Sequence, residues 1–264
     1  MANVKEQLSG VYVPMVTAFV DDEVQYDGIK TNIQKLNETG LKGYFVLGTH
    51  GENKTLGTEE RYKVLETVVK NSSSDKVIMA GAGAESTKET LYLVQRAVDS
   101  GAQLVSLLMP HFFASKIDEQ TMIDYILEVA EKSPVPVLIY NNPKVAAGVT
   151  VNAAVIKGVK DHPNVVGIKD SSKDTWKDNL EAGGDEIFSL AGSANYFLDL
   201  LSKGGTGGVL SLANIIPQAC VDLYEAYASG NMDEAKKMNE NLVSLNKQVS
   251  GKYAVAGVKA AMDL

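Results

Sequence analysis

Short apolar runs alternate along the chain with longer amphipathic runs, and this alternation predicts the fold. The apolar runs are six or seven residues long and rich in Val, Ile and Leu, which is typical of strands buried on both faces. They lie at 11–17, 43–48, 76–81, 103–109, 135–140, 164–169, 186–192 and 206–211. Between and after them, apolar residues recur at helical spacing near 27–38, 58–71, 86–99, 118–132, 151–160, 174–182, 194–203 and 217–228.

Eight strand–helix units in succession predict an α/β protein, specifically a (β/α)8 TIM barrel. An open doubly wound sheet would more often carry a glycine fingerprint after its first strand, whereas here that strand is followed by "AFVDDEVQ". We expect the barrel to occupy residues 1–228. Two further helical patterns, at 231–250 and 253–263, predict a short C-terminal helical extension over 229–264, packed on the barrel.

Charge and composition narrow the classes of partner. The net charge of −8 argues against nucleic acid, whose binding requires clustered Lys and Arg. No apolar run approaches the roughly 18 residues of a membrane span, and the first ten residues lack the apolar core of a secretory signal. The single cysteine, Cys220, forms no disulfide within the chain, which fits a reducing compartment. We therefore expect a cytoplasmic protein with no membrane partner.

Polar residues follow three of the predicted strands at the end where barrel enzymes place their chemistry. The strand at 43–48 runs into "GTHGE", the strand at 135–140 ends in "YNNP", and the strand at 164–169 ends in Lys169. A lysine at the end of a core strand is costly unless its amine reaches water or is kept neutral. If Lys169 faces inward, strand alternation predicts that Gly167 and Val165 do too, with Gly167 leaving space beside the amine.

A desolvated lysine has a lowered pKa, and its neutral amine can attack a ketone to form a Schiff base. Tyr140 could relay the protons that this sequence of steps requires. Backbone N–H groups of the "GTHG" turn, with the Thr49 hydroxyl, could hold a carboxylate beside the ketone, as in pyruvate. Each residue also has a simpler interpretation: a solvated lysine, a core tyrosine, a tight turn, or a hydrogen-bonded His50.

"GTHGE", "YNNP" and "GIKDSS", in this order, resemble the dihydrodipicolinate synthase / N-acetylneuraminate lyase family of class I, pyruvate-dependent aldolases. The resemblance extends over nearly the whole chain through "VPMVTAF", "AGAGAESTKETL" and "GGTGGVLSLAN". It implies a barrel, a homotetramer or other homo-oligomer, and no metal or organic cofactor. No His/Cys/carboxylate cluster in the sequence has metal-ligand spacing either.

Residue by residue, the resemblance makes Lys169 the Schiff-base lysine and Tyr140 the proton-relay tyrosine. Thr49 and His50 match the pair that binds the keto-acid carboxylate, flanked by Gly48 and Gly51. The resemblance also places one leucine in the eighth-strand stretch that lines the site, Leu210.

The sequence departs from the family pattern at three places. His50 replaces a hydroxyl residue. Phe112, in "MPHFF", replaces the tyrosine that a neighbouring subunit contributes, so that the relay must be shortened, or His111 or water must serve in it. The arginine of true dihydrodipicolinate synthases is missing after the tyrosine motif, where Lys144 offers a point charge without a bidentate fork.

These departures favour a lyase that cleaves a 2-keto acid, of the 2-keto-3-deoxy sugar acid or 4-hydroxy-2-oxoglutarate type, to pyruvate and an aldehyde. The alternatives are dihydrodipicolinate synthase, which condenses pyruvate with aspartate semialdehyde, a dehydratase with the same imine chemistry, and a non-catalytic keto-acid-binding member. A sugar-phosphate isomerase with phosphate at "GSAN" and "GGTGG" is a further alternative, since many barrels bind phosphate after strands seven and eight.

Overall fold

Eight parallel strands close into a barrel in the computed structural model, which describes residues 2–264 and the side chains from residue 4 onward. The strands are β1 (Gly10–Pro14), β2 (Phe19–Val20), β3 (Glu23–Val24), β4 (Gly43–Val46), β5 (Val77–Gly81), β6 (Leu104–Leu108), β7 (Val137–Asn141), β8 (Val165–Asp170), β9 (Phe188–Ala191) and β10 (Gly207–Val209). The order around the barrel is β1-β10-β9-β8-β7-β6-β5-β4, and β4 pairs with β1 to close it. The two short strands β2 and β3 form a separate antiparallel hairpin.

Helices alternate with the barrel strands and cover their outer face, so that the predicted (β/α)8 barrel is confirmed. The helices are α1 (Ala2–Leu8), α2 (Tyr26–Asn37), α3 (Thr58–Asn71), α4 (Thr87–Asp99), α5 (Glu119–Lys132), α6 (Ala153–Val159), α7 (Trp176–Gly183), α8 (Phe197–Ser202), α9 (Pro217–Ala228), α10 (Met232–Gln248) and α11 (Ser250–Met262). Short 3-10 turns lie at Ala114–Lys116, Ala194–Tyr196 and Ser211–Asn214. Within residues 2–264, no helix is long and apolar enough to cross a membrane.

The apolar residues form two cores, one outside and one inside the ring of strands. The outer core joins the strands to the helices. The inner core fills the barrel, and its buried members are Leu8, Tyr12, Phe45, Val77, Met79, Leu104, Leu138, Val166, Leu190 and Val209. Because inward-facing side chains pack to this extent, the interior is a filled core, and space for chemistry is left at the mouth.

Helix α1 lies across the amino end of the barrel, and its last residue closes the interior. Leu8 is fully buried within the inner core, and Val4 packs against that core from the same helix. The apolar pattern of the first ten residues was too short to predict this helix. The barrel is consequently sealed at the end opposite the polar strand termini.

Strand β8, which carries Lys169, has an irregular register against β7. Val137 pairs with Val165, but the next residue, Leu138, pairs with Gly167, so that one residue of β8 is skipped. This bulge directs Val166 to the inner core and leaves Val165 in the outer core. The expectation that Val165 faces inward with Lys169 is therefore wrong, because a bulge shifts strand alternation by one residue.

The last two helices follow the barrel. Helix α10 packs against α9, and α11 contacts both α10 and the Ser211–Asn214 turn, which follows β10 at the mouth. Helix α11 is kinked at Ala254, whose φ of 51° and ψ of −136° lie outside the helical region.

The "GGTGG" segment lies at the amino end of the barrel, where it leads into β10. A Cβ on Gly207 would lie only 2.2 Å from the carbonyl oxygen of Gly10, so this glycine is required by the close approach of two strands. The phosphate site considered for "GGTGG" after strand eight is therefore wrong.

Candidate active site

Lys169, Tyr140 and Thr49 come together at the carboxyl end of the barrel. Tyr140 and Lys169 are direct partners in the register of β7 and β8. The Tyr140 hydroxyl lies 3.1 Å from Thr49 Oγ1 and accepts a hydrogen bond of 2.8 Å from Asn142 Nδ2. Lys169 Nζ lies 4.0 Å from the ring centroid of Tyr140 and 4.6 Å from that of Phe45. The amine is therefore held between two aromatic rings beside a phenol.

Burial sets the direction in which the pKa of Lys169 shifts. The residue is 3% exposed, and it forms no ion pair with any carboxylate in the described part of the chain. Removal from water disfavours the ammonium and lowers the pKa of Lys169, and a negative charge on Tyr140 opposes this only in part. A lowered pKa increases the fraction of the neutral amine, which is the form that attacks a ketone.

The phenol of Tyr140 also has a lowered pKa. Burial alone would raise the pKa of its phenol, but the Lys169 charge and hydrogen bonds from Thr49 and Asn142 outweigh burial and lower it. The phenol and the amine thus compete for one proton across a short distance. This pairing lets Tyr140 take a proton from a reacting group and return it.

His50 lies beside this pair in its neutral form. Desolvation, followed by the charge of Lys169, lowers the pKa of His50 to about 4. Its Nε2 is inaccessible to solvent and has no hydrogen-bond partner among the residues that the structure describes. A buried polar atom without a partner is costly, which makes it a natural contact for a bound ligand.

The loop that carries Thr49 and His50 is held in a strained conformation. Leu47 and Glu52 both have left-handed backbones, with φ of 58° and 52°. A Cβ on Gly81 would lie 2.3 Å from the Leu47 carbonyl oxygen, so only glycine permits this approach. The N–H groups of Thr49 and His50 donate to no acceptor within residues 2–264. They remain available for an anion.

The two glycines of the motif have packing roles. A Cβ on Gly48 would lie 2.7 Å from the Phe45 ring, which faces the lysine. The Gly51 carbonyl accepts a buried hydrogen bond of 2.7 Å from the Thr17 hydroxyl. Both contacts fix the loop against the barrel mouth.

A buried carboxylate, which sequence reasoning missed, fixes the end of β8. Asp170 Oδ1 accepts hydrogen bonds from Asn141 Nδ2 and Ser172 N, and Oδ2 accepts one of 2.7 Å from Asn179 Nδ2. Burial raises the pKa of Asp170 to about 6, against the effect of these donors. Only the adjacency of Asp170 to Lys169 and "SS" hinted at this network, since Asn141, its partner from β7, lies 29 residues away in the sequence.

Two other expectations about side chains near the lysine need correction. A Cβ on Gly167 would lie 2.8 Å from Leu138 Cδ1 and 3.4 Å from Leu8 Cδ1, so the inner core occupies the space beside this glycine. Leu210 is fully buried, and its side chain belongs to the outer core. Any contribution of Leu210 to the mouth would therefore come from its backbone.

The remaining predicted substrate-binding residues lie in the loops that follow β6 and β7. The side chain of Lys144 is exposed. Phe112 is 77% exposed and stacks edge-to-face on the exposed Phe113. His111 Nδ1 lies 3.2 Å from Glu85 Oε1, and the other oxygen of Glu85 accepts hydrogen bonds of 2.8 Å from the backbone N–H groups of His111 and Phe112. These contacts fix the loop after β6 with its aromatic residues turned outward.

A barrel that holds a desolvated lysine against a hydrogen-bonded phenol at its carboxyl end defines a class of enzyme, the lyases that form a Schiff base with a carbonyl substrate. In the described part of the chain, no three His, Cys, Asp or Glu side chains are grouped to hold a metal ion.

The chain belongs to the family described as the "Dihydrodipicolinate synthetase family", whose model matches residues 7–264. The members of this family are lyases that act through a lysine imine, and the chain is an enzyme of that kind.

Comparison with individual proteins agrees with this membership. The chain is 33% identical over 272 residues to the "Probable 4-hydroxy-2-oxoglutarate aldolase, mitochondrial" of Emericella nidulans, covering 100% of this chain and 87% of the relative. It is 33% identical over 240 residues to a 4-hydroxy-tetrahydrodipicolinate synthase of Methanothrix thermoacetophila, covering 89% of this chain and 80% of the relative. Among solved structures, the E. coli K12 prophage protein YagE in complex with pyruvate superposes with a TM-score of 0.88 at 26% identity, over 97% of this chain and 87% of YagE.

Proposed function

We propose that the protein reversibly cleaves a 2-keto acid, of the 2-keto-3-deoxy sugar acid or 4-hydroxy-2-oxoglutarate type, to pyruvate and an aldehyde through an imine on Lys169. The observation that carries the proposal is the desolvated Lys169 amine packed against the hydrogen-bonded Tyr140 phenol. Two of the proteins compared also support it: a relative is named as a 4-hydroxy-2-oxoglutarate aldolase, and the YagE structure contains pyruvate.

In the proposed reaction, the neutral amine of Lys169 adds to the C2 carbonyl of the keto acid, Tyr140 gives its proton to the departing hydroxyl, and water leaves to form an iminium and a Tyr140 phenolate. Tyr140 removes the proton of the C4 hydroxyl, the C3–C4 bond breaks, and its electron pair moves into the iminium to form an enamine. The aldehyde departs. A proton then returns to C3, and water hydrolyses the imine to release pyruvate and restore the amine.

The "GTHG" loop is proposed to hold the carboxylate of the keto acid. The free N–H groups of Thr49 and His50 supply two donors, and the Thr49 hydroxyl supplies a third. Because His50 is neutral, it adds no positive charge beside the iminium that forms on Lys169. The imine on Lys169 is the only covalent group that the proposal requires, without a metal or organic cofactor. Full activity after chelator treatment tests this part.

The arginines favour the lyase over the synthase. The chain contains two, Arg61 and Arg96. Arg61 Nε donates to the Leu56 carbonyl, while Arg96 pairs with Glu59 and lies over the Tyr62 ring. Neither is placed to clamp the carboxylate of aspartate semialdehyde at the mouth.

The exposed Phe112–Phe113 pair supports a homo-oligomer, either a dimer or a tetramer, as part of the proposal. Two exposed aromatic side chains on one loop form an apolar surface suited to a second copy of the chain. In such an assembly His111 or water would complete the proton relay in place of the missing tyrosine. Multi-angle light scattering of the wild type and of Phe112→Ser tests the assembly. A cytoplasmic location, supported by the single cysteine, is tested by cell fractionation.

Borohydride trapping with pyruvate tests the proposed function. We expect a stable adduct of one reduced pyruvate on the peptide that contains Lys169, and no adduct in Lys169→Ala. The matched control is Lys173→Ala, which removes an exposed lysine four residues away and should label as the wild type does. A folded wild-type protein that takes no label at Lys169 would refute the proposal.

Turnover distinguishes an enzyme from a keto-acid-binding protein. The trapped wild type should also release pyruvate from candidate sugar-derived keto acids or from 4-hydroxy-2-oxoglutarate. Labelling without pyruvate release from any of them would support a non-catalytic member of the family.

A further inference from the structure

The C-terminal helix is tied directly to the loop that carries Thr49 and His50. Lys259 Nζ, on α11, lies 2.6 Å from Glu52 Oε1, at the end of the "GTHGE" motif. Both side chains are only 28% exposed. The same amine lies 4.4 Å from the ring centroid of Phe19, on the β2–β3 hairpin. One lysine therefore joins three elements around the barrel mouth that are far apart in sequence.

A short chain of contacts continues from Glu52 to the lysine at the centre of the site. The Glu52 N–H donates to the Thr49 carbonyl at 3.1 Å and closes the turn that presents the Thr49 and His50 N–H groups. The Thr49 hydroxyl in turn lies 3.1 Å from the Tyr140 hydroxyl, which neighbours Lys169. Each link is a direct contact.

We propose that Lys259 is a positioning residue for the keto-acid site, which holds the 48–52 loop in its binding conformation from the C-terminal helix. The inference rests on the proposed function, because it assumes that this loop binds the carboxylate.

The strain in Glu52 explains why the loop needs an external tie. Its left-handed backbone, with φ of 52°, is unfavourable for a residue with a side chain and persists only where the surroundings hold it. Two hydrogen bonds from Thr55 to the Glu52 carbonyl hold the outer half of the loop. The Lys259 ion pair holds the side chain, which the Thr55 contacts do not reach. Loss of the Lys259–Glu52 ion pair should therefore loosen the turn at Thr49 without unfolding the loop.

The test compares Lys259→Met with a matched change on the same helix. Met keeps an apolar stem near Phe19 but removes the charge. Lys252→Met is the control, because Lys252 is exposed and contacts only the ring of its neighbour Tyr253 in the described structure. Two quantities are measured: the pyruvate concentration that gives half-maximal borohydride trapping, and the maximal rate at which pyruvate methyl protons exchange with D2O.

For Lys259→Met we expect the half-saturating pyruvate concentration to rise about threefold to tenfold, the range for loss of one partly buried ion pair. The maximal exchange rate should stay within about twofold, because Lys169 and Tyr140 are untouched. Lys252→Met should match the wild type in both quantities. Glu52→Gln should reproduce the effect of Lys259→Met, and the double variant should be no worse than either single variant, since all three lack the same pair.

The outcomes separate this inference from the proposed function. Trapping at Lys169 with unchanged half-saturation in Lys259→Met would overturn the positioning role and leave the proposed function intact. A fall in maximal rate without a change in half-saturation would also overturn it. If Lys259→Met does not fold, Lys259→Arg and the exchanged pair Lys259→Glu with Glu52→Lys take its place, and both must recover wild-type half-saturation.

Discussion

Replacing the buried Lys169 with Met should abolish imine formation and at the same time stabilise the fold. The amine is 3% exposed, forms no ion pair with the described carboxylates, and is compensated only in part, by the Tyr140 phenol and by two aromatic rings. Burying a polar group without full compensation costs about 1–3 kcal/mol in proteins. Met has nearly the same shape and no charge, so we expect a gain of about 1–3 kcal/mol, or roughly 2–10 °C in Tm for a chain of this size.

The size of the stabilisation by Lys169→Met should depend on pH in a defined direction. Because burial lowers the pKa of Lys169 below its usual 10.5, the unfolded chain binds one more proton than the folded chain between the folded pKa and 10.5. The stability of the wild type therefore rises with pH across that window. The advantage of Lys169→Met should be largest below the folded pKa and should shrink as the pH approaches 10.

The chain contains its own control for this argument. Lys76 is also buried, at 7% exposure, but its amine donates 2.9 Å hydrogen bonds to the carbonyls of Thr39 and Leu41 and lies 3.0 Å from Asp75. Lys76→Met should therefore destabilise the protein, by about 2–4 kcal/mol, because two buried acceptors lose their charged donor.

Thermal and urea denaturation of both variants, from pH 6 to pH 10, measure these effects. Equal destabilisation by Lys169→Met and Lys76→Met, or an advantage of Lys169→Met that does not narrow with pH, would refute the account of Lys169 as an incompletely compensated buried amine.

Three further substitutions test local features. Ala254→Gly should stabilise the protein by about 1 kcal/mol in urea denaturation, because glycine adopts a φ of 51° and ψ of −136° without strain; no gain would mean that the kink is unstrained. Tyr140→Phe should keep pyruvate trapping at Lys169 but slow pyruvate proton exchange by about 10²–10⁴-fold; an unchanged exchange rate would remove Tyr140 from the relay. Gly81→Ala places a Cβ 2.3 Å from the Leu47 carbonyl oxygen and should cost roughly 3 kcal/mol or more, with weakened trapping; wild-type stability would contradict the close approach.

The sequence predicted the periodic parts of the fold well. Helices α3 and α9 begin and end where their patterns do, at 58–71 and 217–228, because long amphipathic segments average out local exceptions. Gly57, which has no capping side chain, is the N-cap of α3, and its N–H donates to Glu60 Oε2 at 2.7 Å. Helix α1 was missed because seven residues carry too little periodicity to register.

Within the candidate site, the sequence predicted which residues lie at the strand ends, but it did not predict the packing around them. Polar residues after apolar strands indicated that Lys169 and Tyr140 meet at one end of the barrel, since parallel strands share a direction. The bulge in β8 left no mark in the sequence, because a one-residue shift needs no special residue type. Contacts between segments that are far apart in the sequence, such as Asn141 with Asp170, depend on the folded chain.

The sealed amino end of the barrel has a consequence for the order of events at Lys169. With Leu8 and the inner core filling the interior, the mouth is the one route in the described structure by which molecules can reach or leave the amine. In the proposed reaction the keto acid enters there, and the water released by imine formation leaves by the same route, past the bound substrate. The aldehyde, once cleaved, would lie nearer the mouth than the pyruvate that is still bonded to Lys169. For the proposed reaction, the barrel therefore predicts an ordered release in which the aldehyde departs before pyruvate.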